Sequence, residues 1–153
     1  MSLSSRLRRL IWLIPLGIVL AAISGYIGAI VLPQAIAVWV ALLFLKAITM
    51  QASGFFVVLA GPALHGLLWC WPVTCVALPL ASLAVRSPHA STPLVFLALG
   101  AVAGAVIVYV GAANGYNGVN PNDAGWFALA GAIANAASGL VFGLVLRRPN
   151  RDS

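Results

Sequence analysis

Glutamate is absent from this chain, and Asp123 and Asp152 are its only acids. Neither lies in an apolar stretch. Proton-coupled membrane transporters keep a carboxylate or a histidine inside the bilayer as a relay. The carboxylate version is excluded here, and only a histidine relay stays open. Paired carboxylates for general acid–base catalysis are excluded on the same ground. A calcium cage recruits several carboxylates. Segment 114–123 is rich in side-chain oxygens but holds one acid, so it reads as a set of tight turns.

Charge of either sign is also scarce. Charged residues make up 7% of the 153 and hydrophobic residues 63%. A soluble domain carries about 25% and about 45–50%. So few charges cannot cover a water-facing surface, so lipid must be the solvent for most of the chain. Histidine occurs only as His65 and His89, too few for a metal or haem site, and no cofactor is expected. Cys70 and Cys75, five residues apart in one apolar run, would point to different faces of a helix. They read as small buried side chains rather than a disulfide.

What is present is long apolar runs. A membrane-spanning helix needs about 20 predominantly apolar residues. Residues 10–32, 94–113 and 126–146 each meet that length, with Trp126 placed as an interfacial anchor. Between them, residues 33–85 are nearly all apolar, with Lys46 the one charge. Two crossings fit there, with Gly61-Pro62 as the turn, which gives five spans. One crossing at 63–85, preceded by a re-entrant or interfacial segment at 35–59, gives four. The expected fold is an all-α polytopic membrane helix bundle, one domain over 1–153, with four spans preferred.

The arginines decide that preference. Arg6, Arg8 and Arg9 precede the first run, Arg86 lies in the polar loop 86–93, and Arg147, Arg148 and Arg151 follow the last run. Four spans put all of them on one side, as the positive-inside bias of short loops requires. Five would split them. Both termini are then expected in the cytoplasm, and a bacterial inner membrane is the expected setting. The net charge of +6 is therefore read as orientation and headgroup contact, not nucleic-acid binding.

Small residues recur at every fourth position: Gly17, Ala21 and Gly25 in the first run, Gly131, Asn135, Gly139 and Gly143 in the last, and Gly100 and Gly104 between the polar loops. Such stripes let helix backbones approach closely in lipid, where no hydrophobic drive brings helices together. They pack either the bundle itself or a partner subunit or second copy. His65, Trp69 and Pro72 fall on one helical face, and Pro79 continues it, so kinks and freed carbonyls are expected there.

The string 137–143, Ala-Ser-Gly-Leu-Val-Phe-Gly, resembles the serine-bearing helix of rhomboid intramembrane proteases. That family has glycine where this chain has Ala136, and its general-base histidine sits on a later helix. No histidine follows Gly143, so a protease is not expected. Three functions fit the sequence. The first is an accessory or structural subunit of a membrane complex. The second is a small transporter or channel with a polar site near Lys46, His65 and Asn135. The third is a membrane enzyme acting on a lipid or quinone, for which His65 alone supplies acid–base chemistry.

Overall fold

The structure, a computed structural model, describes residues 3–49, 52–85 and 91–147. Arg86, His89, Arg148, Arg151 and Asp152, which entered the charge argument or the search for sites, lie outside the described residues. Helix α1 runs Leu3–Val31, α2 Pro33–Ile48 and α3 Ala52–Trp71. A π-helical segment, Pro72–Ala77, joins α3 to α4, Leu78–Ala84. Helix α5 is Thr92–Ala113 and α6 is Ala124–Leu146, with two short 3-10 turns between them.

Among the described residues, four helical stretches are long and apolar enough to cross a bilayer: Ile11–Val31, Ser53–Ala84, Thr92–Ala113 and Pro121–Leu146. Helix α2, at 16 residues, is about 24 Å long, short of the ~30 Å hydrocarbon core. The chain is a membrane-embedded helix bundle of four spans plus one short apolar helix.

The boundaries differ from the expected ones inside 33–85. The second apolar stretch begins at Ser53, not at 63, and Gly61 and Pro62 lie within α3. The expected re-entrant stretch 35–59 is divided between α2 and the first turns of α3. A proline inside a helix removes one N–H and strands the carbonyl four residues earlier. For Pro62 that carbonyl belongs to Val58, and the Trp39 indole N–H donates to it at 2.8 Å. A side chain of α2 thus replaces the lost helical bond, and the helix continues. Pro72 is accommodated differently. The chain widens into the π-helix, with the Leu78 N–H bonding the Val73 carbonyl five residues back. Thr74 Oγ1 donates to the Cys70 carbonyl at 3.1 Å, and Ser82 Oγ to that of Pro79 at 2.6 Å.

The glycine ladders are used inside the molecule. A Cβ at Gly17 would sit 2.6 Å from the Thr74 carbonyl oxygen, and one at Gly143 2.6 Å from Pro93 Cα. Gly25 and Gly66 cross with their backbones in contact, and Gly100 and Gly139 lie against the Asn135 and Phe96 carbonyls. Gly104 packs on Gly131, and Ala21 is fully buried. These contacts run antiparallel in α1 against α3–α4 and in α5 against α6. The start of α1, the end of α4, the start of α5 and the end of α6 therefore share one end of the bundle. A core of Leu13, Leu20, Val73, Leu78, Phe96, Phe142 and Leu146 fills that half. A second cluster around Trp69, Cys70, Val108 and Ala112 fills the other.

Trp69 marks the level at which α5 gives way to α6, since it packs on Tyr116 and Phe127. Helix α3 starts 17 residues before it, so about 25 Å of helix runs past that level. This extension and α2 form an arm. Among the described residues, helix α2 packs on α1 and α3. Its attachment includes the Trp39–Val58 bond and an edge-on contact of Trp39 with Tyr26, whose hydroxyl donates to the Leu59 carbonyl at 2.8 Å. Phe44, Ile48, Phe56 and Val57 are exposed on the arm.

Candidate functional site

Where the arm meets the bundle, the helices separate and leave a cavity of about 560 Å³. Helix α2 gives it Ala35, Val38, Trp39 and Leu42, and α6 gives Phe127 and Gly131. Gly28 of α1 and Gly61 of α3 also line it. A Cβ at either glycine would meet nothing within 4 Å. These two glycines leave room instead of bringing backbones together. One turn away, Gly25 and Gly66 have no room at all. The same pair of helices is thus pinned at one level and open at the next.

The wall is almost wholly apolar, and its few polar groups are specific. His65 is exposed on the α3 side, with Trp69 one turn further along the same face. Ser24 and Cys70 lie at the deep end of the wall and belong to a buried polar cluster. The Ser24 and Ser138 hydroxyls are 2.7 Å apart, and either can donate to the other. Ser24 also reaches the Ala134 carbonyl, and Ser138 that of Leu20. Asn135 Nδ2 donates to the Gly131 carbonyl at 2.9 Å and to Cys70 Sγ at 3.5 Å. Two buried side-chain atoms among the described residues lack any partner, Trp69 Nε1 and Asn135 Oδ1. A buried polar group left unmatched costs about 1–3 kcal/mol.

The three polar residues singled out from sequence are not brought into one site. His65 is on the cavity wall. Asn135 is fully buried behind Gly131 and Cys70, serving as glue between α6 and α3. Lys46 is on the last turn of α2, past the lining residue Leu42, where a cation suits the helix C-terminus. Ser138, which carried the protease resemblance, is bonded into the cluster between α1 and α6 and is closed off. Sequence reasoning missed Trp39, Trp69, Gly28 and Gly61. Gly28 lies off the four-residue ladder, Gly61 read as a turn, and Trp69 was seen only as a companion of His65.

No family model, curated protein or solved structure matches the chain.

Proposed function

We propose that this chain is a membrane protein that holds one apolar ligand taken from the bilayer, in the cavity between its arm and its bundle. The cavity itself carries this reading. Its volume of about 560 Å³ falls within the ~300–1,000 Å³ of small-molecule sites. An apolar cavity of about 150 Å³ takes one benzene ring, so this one has room for roughly twenty carbon atoms on that scale. Arginines at the shared end of the bundle favour a cytoplasmic placement of both termini, and a bacterial inner membrane is the setting proposed.

The test is lipid mass spectrometry on the chain purified in mild detergent, beside Gly28→Leu and Gly61→Leu. Both positions face open space, so the added side chains fill the cavity without displacing backbone. A stoichiometric apolar molecule on the wild type that is lost from both variants supports the reading. Equal lipid content in all three refutes it.

A second reading has its own observation. The arm exposes Phe44, Ile48, Phe56 and Val57, and among the described residues its helix α2 packs on α1 and α3 and not on α5 or α6. This favours an accessory subunit whose arm docks on another membrane protein. Pull-down through a C-terminal tag yields a stoichiometric partner if that is correct, and a lone species or homo-oligomer if it is not.

A further inference from the structure

His65 is the polar group that the cavity wall leaves open. It lines the cavity and is exposed. On α3, Gly61, Pro62, Gly66 and Trp69 line the cavity too. At 3.6 residues per turn, His65 falls inside the face they mark, with Gly61 on one flank and Pro62 and Gly66 on the other. Its side chain therefore leaves the helix on the cavity side. Long helical side chains lean back over the preceding turn. That turn carries Gly61, where a Cβ would meet nothing within 4 Å, so the imidazole has open space before it. The other polar side chains of the wall are engaged or covered. Trp39 gives its N–H to Val58, Ser24 bonds Ser138, Cys70 Sγ accepts from Asn135, and Trp69 Nε1 is buried. Among the described residues the imidazole has no hydrogen-bond partner.

A neutral imidazole offers one N–H donor and one nitrogen acceptor. It can bond a hydroxyl in either direction, or donate to a carbonyl oxygen. Among the described residues, neither lysine nor arginine lines the cavity. An ionised head taken into so apolar a site without a cation costs far more than a neutral one. The volume of about 560 Å³ admits one chain of roughly twenty carbons on the scale of a benzene-sized cavity, and not two such chains. Resting on the ligand-holding function proposed above, we infer that the cavity holds a neutral single-chain lipid whose head is a hydroxyl or carbonyl oxygen. His65 hydrogen-bonds that head, and the chain fills the space left by Gly28 and Gly61.

The experiment observes the imidazole directly. The full chain, purified through a histidine-free tag into detergent micelles and labelled with ¹⁵N at histidine, gives ring-nitrogen signals from His65 and His89 alone. His65→Phe identifies those of His65. Oleyl alcohol, methyl oleate, oleic acid and 1-octadecene are titrated in turn, with affinities read from tryptophan fluorescence, since Trp39 and Trp69 line the cavity. The inference expects a saturable shift of the His65 nitrogens with oleyl alcohol, weaker binding of oleic acid, and no shift with 1-octadecene. A shift with methyl oleate as well makes His65 the donor, and a shift with oleyl alcohol alone makes it the acceptor of the hydroxyl proton. Oleyl alcohol should bind roughly tenfold more tightly than 1-octadecene, the worth of one hydrogen bond. His65→Phe should abolish that preference without weakening 1-octadecene, and His65→Gln, which keeps a donor and an acceptor, should restore part of it. If oleyl alcohol binds, is excluded by Gly28→Leu, and leaves the His65 nitrogens in place, this inference is overturned and the ligand-holding function stands. Tighter binding of oleic acid than of oleyl alcohol overturns the neutral head. If no probe binds saturably, inference and function fall together.

Discussion

Two alanine substitutions three residues apart on α1 should have opposite effects on stability. At Gly25 an added Cβ would lie 2.6 Å from the Gly66 nitrogen and 2.7 Å from the Pro62 carbonyl carbon. Ordinary contact begins at 3.4 Å. The Pro62 carbonyl oxygen is nearer still, so helices α1 and α3 must part by more than 0.8 Å, because all three obstacles are backbone and none can swing aside. A gap of 0.5–1 Å forfeits about a quarter to a half of each contact of about 0.1–0.2 kcal/mol. Over a few dozen atom pairs at a helix crossing that amounts to roughly 1–3 kcal/mol, the usual range for overpacking. Alanine's better helix propensity offsets about 0.5–1 kcal/mol. Gly25→Ala should therefore lose at least about 1–2 kcal/mol. Gly28→Ala meets nothing and keeps only the propensity gain, so it should be neutral or more stable by up to about 1 kcal/mol. Thermal unfolding in mild detergent, followed by circular dichroism, separates the two variants. Equal midpoints, or a Gly25→Ala variant at least as stable as wild type, would refute the argument that backbone contact at this crossing holds α1 to α3.

Trp39→Phe strands the Val58 carbonyl and should speed amide exchange in α2 while leaving α5 and α6 unchanged. Adding Pro62→Ala restores a backbone donor for that carbonyl and should recover part of the loss, whereas no recovery would mean the Trp39 bond does not replace the missing helical one. A double-mutant cycle on Ser24→Ala and Ser138→Ala should give a favourable coupling of roughly 0.6 kcal/mol and at most about 1.7. A coupling of zero would mean the 2.7 Å contact is matched in the unfolded membrane state. In a background lacking Cys70 and Cys75, single cysteines at Ser91 and Asn122 should react with an impermeant maleimide from opposite sides of the membrane. Labelling of both from one side would refute the four-span arrangement.

Much of the fold was legible because lipid imposes simple rules. The apolar lengths of 94–113 and 126–146, the near absence of charge and the arginine clustering were sufficient for a four-span helical bundle. The ladders through Gly17, Gly25, Gly100, Gly139 and Gly143 lie where backbones come close in the fold, though spacing alone does not say whether the approaching backbone belongs to the same chain. Residues 33–85 were harder to read. Gly61-Pro62 is a strong turn signal in water, because a stranded carbonyl there is easily hydrated. In lipid the carbonyl needs a protein donor, and Trp39 lies 19 positions before Val58 in the chain, beyond any local pattern. The cavity was illegible for a related reason. Gly28 lies off the ladder and Gly61 reads as part of a turn, and only the crossing of α1 and α3 shows that their missing side chains face space.

The cavity and the arm therefore have one origin. Pro62 lies one turn from Gly66, and its carbonyl is among the atoms that touch Gly25. The same residue that presses against α1 also strands the Val58 carbonyl on the other side of α3. That carbonyl draws in Trp39, and Tyr26 steadies Trp39 edge-on while donating to Leu59. Helix α2 is thereby held beside α3 at the level where α1 and α3 have begun to separate. Had Pro62 been an ordinary helix former, the Val58 carbonyl would have been satisfied within α3, and the indole of Trp39 would have lacked its acceptor in an apolar setting. The open wall formed by Ala35, Val38, Trp39 and Leu42 thus follows from one missing N–H, and the cavity exists because that N–H was replaced from another helix.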